Sequence, residues 1–295
     1  MKVGVIGLGS MGYGIAASLL RGGHQVWGAD VNADAVRRLI EEGAAEDLAE
    51  AVPELDALVV VVLNAAQVED VLLGVTGMVP RLRKGAIVIC CVTVAPEFAR
   101  RMAARCDQAG VLYLDAPISG GSVKAAAGRL SVMASGSQAA FAAARPVLDA
   151  TAEKMFDLGD KAGMGSAMKA VNQMLAGVHI AAMAEAITFG MTQGIAPETF
   201  LEVIPDCAGT SWMLENRAPH VVAGDYTPHS AVDIWPKDLG IVLDAARAAK
   251  FAAPLTAAAL QQFIAASGSG LGREDDAAVA KVYARNAGLT LPGQA

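Results

Sequence analysis

Lys169 is the residue whose chemistry most needs explaining. It stands in Gly163-Met164-Gly165-Ser166-Ala167-Met168-Lys169, where the spacing predicts an otherwise apolar helix. Asn172 and Gln173 follow at i+3 and i+4, so a helix would project all three from one face. A lysine can take the proton of an alcohol only while it is neutral. Its ordinary pKa of about 10.4 lies about three units above neutrality, a gap of roughly 4 kcal/mol that burial reduces. An acid–base group so placed typically contributes ~10²–10⁴ in rate. The same pattern also fits a lysine snorkelling from a helix edge.

A second constellation lies at the start. Gly7-Leu8-Gly9-Ser10-Met11-Gly12 follows an apolar run, Val3 to Ile6, and opens a helical pattern. Three glycines in that spacing permit a tight turn, a close approach of backbone to a pyrophosphate, and close helix–strand packing. The helix start then presents free N–H groups to the phosphates. Asp30 ends the next apolar run, where a carboxylate accepts bonds from adenosine ribose hydroxyls and repels a 2′-phosphate. Val31, Asn32 and Ala33 bring no cation for such a phosphate, and Arg37 is a full turn further on. The expected cofactor is NAD, with Asp30, Val31 and Asn32 at its adenosine end.

The third is Asp115-Ala116-Pro117-Ile118-Ser119-Gly120-Gly121, which leaves the fifth apolar run at its carboxyl end. Open α/β sheets bind ligands at that edge. The Ser119 hydroxyl and the N–H groups of Gly120 and Gly121 can converge on an anion, with Lys124 one turn on to add charge. On residue types alone this is equally an ordinary turn with a solvated lysine.

These groups need a frame. Apolar runs at Val3 to Ile6, Gln25 to Ala29, Leu58 to Leu63, Ala86 to Ile89 and Val111 to Asp115 alternate with helical spacing such as Gly12 to Arg21, Ala33 to Glu42 and Pro96 to Ala109. The pattern predicts an α/β fold, a Rossmann-type doubly wound parallel sheet with both faces covered. Runs near Leu130 to Ala134 and Lys154 to Asp157 are expected to extend that sheet. From Gly163 to about Gly194 one long interdomain helix is predicted. An all-helical second domain follows, with helices over Pro197 to Ile204, Ala231 to Ala249, Pro254 to Ser267 and Ala277 to Arg285. Asp275 or Asp276 is the expected cap of the last. The boundary expected is 1–162 for nucleotide binding and 163–295 for substrate binding and oligomerisation.

Composition narrows the classes. Apolar residues make up 54% and charged residues 18% of 295, too apolar for a disordered chain. With a net charge of −7 and no basic run, nucleic-acid binding lacks its electrostatic footprint. The longest apolar stretch, Ala57 to Leu63, is strand-sized, and Lys169, Asn172, Gln173, His179 and Glu185 interrupt the later one. No membrane partner is expected. Met1 and Lys2 lead directly into a strand, which leaves no room for a signal peptide. The four cysteines show no metal spacing, so no metal and a reduced, cytoplasmic setting are the expectation.

Together these motifs resemble the β-hydroxyacid dehydrogenase family, which includes 3-hydroxyisobutyrate dehydrogenase, tartronate semialdehyde reductase and 6-phosphogluconate dehydrogenase. The likeness spans nearly the whole chain: the glycine turn, the Asp115 to Gly121 segment running into Gly128-Arg129-Leu130, the Gly163 to Lys169 segment with Asn172, and Lys237-Asp238-Leu239-Gly240. It implies Lys169 as general acid/base, with Ser119, Gly120 and Gly121 on the substrate carboxylate and Asn172 orienting the substrate. Leu63, Asn64, Thr93 and Lys237 would contact NAD. It also implies a small hydroxy-acid substrate and a homodimer or homotetramer, as does the apolar circumference of the long helix.

Two departures suggest a reshaped pocket. Cys90-Cys91-Val92-Thr93 stands where relatives often have Asp-x-Ser-Thr, and Gln173 stands where many have a second asparagine. Wording such as Asn172 to His179, Ser211 to Arg217 and Ser230 to Trp235 resembles a subgroup acting on a four-carbon sugar acid. Its extra hydroxyls would find polar candidates in Lys124, Gln173, His179 and Trp212. A catalytically silent nucleotide sensor is the contrasting class, and Lys169, Ser119 and Asn172 together speak against it.

Overall fold

Five of the apolar runs form one parallel sheet. In the computed structural model, which describes residues 1–293, its strands are β1 (Lys2–Ile6), β2 (Gln25–Ala29), β3 (Ala57–Val60), β4 (Ile87–Cys90) and β5 (Leu112–Asp115). They lie in the order β2-β1-β3-β4-β5, with Ile6 opposite both Ala29 and Val60. All four residues of β3 and of β4 are buried, as continuous Val/Ile/Leu runs require when helices cover both faces. The covering helices are α1 (Gly12–Arg21), α2 (Ala33–Glu41), α3 (Leu48–Ala51), α4 (Ala65–Leu73), α5 (Pro96–Gln108) and α7 (Gln138–Thr151), while α6 (Gly121–Ala126) packs on α1. The order of strands and the helices between them make this a Rossmann-type sheet.

One expectation fails here. The strands β7 (Leu130–Ala134) and β8 (Ala152–Asp157) do not extend the main sheet. With β6 (Ile118–Ser119) they form a separate three-stranded sheet, β6 antiparallel and β8 parallel to β7. The chain leaves the main sheet after Ala116, whose N–H still donates to the Cys90 carbonyl at 2.9 Å, and Pro117 already faces β7. The Pro117 carbonyl accepts from the Met133 N–H at 2.9 Å, and Asp115 and Ser135 exchange both backbone bonds at 3.0 and 2.8 Å.

The long helix is α8 (Met164–Thr192). The chain divides into two units inside it, between Lys169 and Ala170. The second unit continues with α9 (Pro197–Val203), α10 (Trp212–Ala223), α11 (Ile234–Ala248), α12 (Pro254–Ala266) and α13 (Ala280–Asn286). Asp275 caps the short 3₁₀ turn Asp276–Val279 that precedes α13, accepting from the Ala277 N–H at 3.1 Å. By length and mean hydropathy α8 would pass for a membrane span. Its Ile180, Met183, Ala184 and Ile187 are instead buried with Phe200, Leu214 and Phe263 in the core of the second unit.

Candidate active site

The glycine turn is built by close backbone approaches. Gly7 has φ +91°, and a Cβ there would lie 2.5 Å from the Val61 carbonyl oxygen. A Cβ on Gly12 would fall 1.8 Å from the Gly7 carbonyl oxygen, so a side chain there would destroy the turn. Gly9 differs: nothing lies within 4 Å of its Cβ position. Its missing side chain serves no packing contact and leaves open space beside the start of α1. That space belongs to an open cleft of about 570 Å³ lined by Leu8, Gly9, Ser10, Tyr13, Asn32 and Arg38, among others. A bare backbone edge at a helix start suits a phosphate group. Asp30 sits beside it, its Oδ2 accepting from the Leu8 N–H at 2.6 Å and its Oδ1 from the Asn32 N–H at 2.7 Å. The carboxylate is thus oriented by the turn itself. Val31 is fully exposed next to it.

Further along the same sheet edge, Asn64 spends its side-chain oxygen on capping α4, accepting from the Gln67 N–H at 2.9 Å. Gln67 Oε1 in turn accepts from the Leu63 N–H at 2.8 Å, which fixes the loop and leaves the Leu63 side chain exposed. Thr93 is half-buried in the loop between β4 and α5. Beside it the Cys90 and Cys91 thiols are pushed up by burial, Cys90 to about 11, so both are held as unreactive thiols.

The loop after β6 turns through two left-handed glycines, Gly120 at φ +133° and Gly121 at +75°. Gly121 starts α6 and has nothing within 4 Å of its Cβ position. Lys124 lies close under Gly120, and its ammonium is 3.8 Å from Glu153 Oε2. Its charge therefore already has a carboxylate neighbour.

Lys169 is 8% exposed, on the last turn of the first unit's share of α8. The start of that helix is held by Asp115, the final residue of β5, which is wholly buried. Asp115 Oδ2 accepts from the N–H groups of Gly163 at 2.9 Å and Ser166 at 2.8 Å, and from the Ser135 hydroxyl at 3.3 Å. Its Oδ1 accepts from the Ser166 hydroxyl at 2.6 Å. Burial pushes this carboxyl above its ordinary range, opposed by those hydrogen bonds.

The second unit holds its own polar chain. Asn172 Nδ2 donates to Gln173 Oε1 at 2.9 Å, and Gln173 Nε2 donates to Asp238 Oδ2 at 2.5 Å. The Lys237 ammonium stands 2.7 Å from Asp238 Oδ1. Gln173 and Asp238 are buried, so the amide bridges Asn172 to a carboxylate that also holds Lys237. Trp235 packs face to face on Phe263, 5.4 Å between ring centroids, while Trp212 is 60% exposed at the start of α10.

Residues 2–159 match the NAD-binding domain of 6-phosphogluconate dehydrogenase, and residues 163–283 match the NAD-binding model of NADP-dependent 3-hydroxyisobutyrate dehydrogenase. The chain is 49% identical to L-threonate dehydrogenase of Escherichia coli K12, over 99% of this chain and 96% of that one. It belongs to the β-hydroxyacid dehydrogenase family. The likeness extends to L-threonate dehydrogenase of Cupriavidus necator, 47% identical over 100% of this chain and 99% of that one. A crystal structure of 3-hydroxyisobutyrate dehydrogenase from Salmonella typhimurium superposes with a TM-score of 0.91 at 48% identity, covering 96% of this chain and 99% of that one. The protein is therefore a dehydrogenase with a NAD(P)-binding domain.

Three features of this dehydrogenase escaped the sequence reading. Gly14 is one: a Cβ there would meet Ala126 N at 2.6 Å, so it lets α1 pack closely on α6. Its G-x-G continuation of the turn was the available signal. Arg38 is the second, its guanidinium 4.5 Å over the Tyr13 ring at the cleft edge. The third is the set of donors around Asp115, for which no local signal exists.

Proposed function

We propose that the protein oxidises the C2 hydroxyl of L-threonate, or of a closely similar four-carbon sugar acid, with NAD as acceptor, and that Lys169 is the general acid/base. The near-full-length likeness to L-threonate dehydrogenases carries the substrate reading. The open Gly9 position beside α1 and the oriented Asp30 fit a dinucleotide, with Val31, Asn32, Leu63, Asn64, Thr93 and Lys237 completing its contacts. Bound NAD supplies the hydride acceptor for such an oxidation. The chain's own task is to hold the acid and manage one proton. The Ser119 hydroxyl and the N–H groups of Gly120 and Gly121 bind the carboxylate, and Asn172 orients the hydroxyl. Lys169, 8% exposed, then takes the hydroxyl proton on its Nζ. In this scheme Gln173 acts by holding Asn172, and Lys124 adds positive charge at the rim.

Asp30 supports NAD over NADP, while Arg38 on the same cleft is the cation a 2′-phosphate would meet. We place the enzyme in the cytoplasm, where its four free thiols stay reduced, as a homodimer or homotetramer. Residues 1–162 would serve nucleotide binding, and residues 163–295 substrate binding and assembly. The exposed Val171, Leu175 and Phe189 of α8 support assembly, which light scattering on the purified protein checks.

A second reading, oxidation of 3-hydroxyisobutyrate, is favoured by the Salmonella structure. Reduction of tartronate semialdehyde uses the same machinery. The deciding experiment is a panel of hydroxy acids with NAD and NADP, followed by reduced-nucleotide absorbance. L-threonate with NAD is the expected best pair, and turnover confined to 3-hydroxyisobutyrate or tartronate semialdehyde would sink the threonate reading. Lys169→Ala is expected to lower kcat by ~10²–10⁴ while NAD affinity in a binding titration stays near the parent's.

A further inference from the structure

We infer that Asp115 is a positioning residue for Lys169: it fixes the first turn of α8 to the end of β5, and so sets where the lysine amine lies relative to the Ser119–Gly121 loop. The inference rests on the reading of Lys169 as general acid/base.

A helix start leaves its first N–H groups without partners in the helix. In α8 three of the leading N–H groups, those of Gly163, Gly165 and Ser166, are answered from the sheet side. Asp115 takes two of them, and Ser135, which donates its hydroxyl to Asp115, accepts the third from Gly165 at 2.9 Å. The Ser166 hydroxyl adds a fourth bond onto Asp115 at 2.6 Å. A carboxylate in this place also meets the positive end of the helix dipole. The backbone allows no slack. Gly163 has φ +103°, and a Cβ on Gly165 would lie 2.3 Å from the Met133 carbonyl oxygen. Lys169 follows Ser166 by three residues, roughly 4.5 Å of helix axis. In the other direction the chain runs from Asp115 through Ala116 and Pro117 into Ile118 and Ser119, the strand that enters the glycine pair. One buried carboxylate therefore ties the helix turn before the assigned base to the strand end that leads into the loop assigned to the substrate carboxylate. Misplacing a reacting group by about 1 Å can cost on the order of 10²-fold in rate.

The test compares Asp115→Asn, Lys169→Ala and the double variant. Asparagine keeps the size of Asp115 but puts an N–H₂ group where Oδ2 now accepts. Hydrogen exchange of Asp115→Asn should show lost protection concentrated in residues 163–169, with β4 and β5 unchanged. With the best substrate of the panel, kcat should fall between about 10- and 100-fold while both KM values stay near the parent's. Small primary amines supplied to Lys169→Ala should restore part of its activity. The restored rate should be the same in the double variant, because a base from solution needs no anchored helix. Unchanged protection at 163–169 overturns the proposal, as does a restored rate that falls in the double variant by the factor Asp115→Asn costs the parent. Where amines restore nothing, a rise in KM for NAD matching the fall in kcat overturns it. Lys169→Ala turning over like the parent fails the acid/base reading itself, a separate outcome. If Asp115→Asn does not fold, Ser166→Ala removes one of the four bonds and is read by the same measures, with Ser166→Thr expected to restore the parent's values.

Discussion

Asp115 in the first unit and Asp276 in the second are both wholly buried, yet they are met by opposite kinds of donor. Asp115 receives neutral groups: two backbone N–H groups and the hydroxyls of Ser135 and Ser166. Asp276 receives the Arg217 guanidinium, through Nε and at 3.5 Å through Nη2, and the Trp235 indole N–H at 2.9 Å. Its neighbour Asp275 lies 3.8 Å from the same guanidinium and 3.6 Å from His220 Nδ1. The difference follows from the architecture. Where a sheet edge gives way to a helix, backbone donors are left over and a carboxylate can collect them. In the helical unit Asp275 still collects the backbone N–H groups of His229 and Ala277, whereas Asp276 is met through side chains. There, a buried carboxylate needs a charged partner.

That contrast can be broken experimentally. Arg217→Met should cost the most, about 3–5 kcal/mol in denaturant unfolding, because it leaves Asp276 buried without its cation. Burial raises the Asp276 carboxyl above its ordinary range against the pull of Arg217. Its contribution to stability is thus fully present below the ordinary value and lost as pH rises through the raised one. Without Arg217 the carboxyl rises further, so the deficit of Arg217→Met should be largest near neutrality and shrink on acidification. A deficit independent of pH would mean that packing, not charge, holds this cluster.

Trp235→Phe keeps a ring to stack on Phe263 and removes one bond onto Asp276. It should cost about 1.5–3 kcal/mol, the range for a bond to a charged group. Ser135→Ala in the first unit removes the longest of the bonds to Asp115, and should cost about 1 kcal/mol. Its faster exchange should centre on the Gly165 amide, which loses its acceptor. If Ser135→Ala proved as costly as Arg217→Met, the distinction between neutral and ionic anchoring would collapse.

Much of the fold was legible because its signals are local. Val3 to Ile6 and the glycines after it specify a strand and a turn within a few residues. Asp275 caps its turn two residues on, as expected. The helix α10 was not legible: its buried stripe of Leu214, Ala218 and Val221 includes Arg217, and Pro219 interrupts the pattern. The second sheet was missed because apolar runs such as Leu130 to Ala134 read the same whichever strands they pair with. For the candidate site, residue type and spacing single out Lys169, Ser119 and the glycines without assigning their roles. Gln173 is a candidate substrate contact by its spacing, and the sequence does not announce its bonds to Asn172 and Asp238.

The sequence alone determined which segments alternate as strand and helix, where the backbone must turn through glycine, and that a lysine stands on an apolar helix. Periodicity and backbone freedom are properties of near neighbours, and so can be read in one dimension. Only the tertiary structure decided which acceptor meets which donor. Asp115 reaches Gly163 across 48 residues and Gln173 reaches Asp238 across 65. Arg38 comes to the cleft because α2 lies beside α1, where its guanidinium finds the Tyr13 ring. Such pairings depend on how buried polar groups are satisfied once the elements pack, and that requirement has no fixed spacing along the chain.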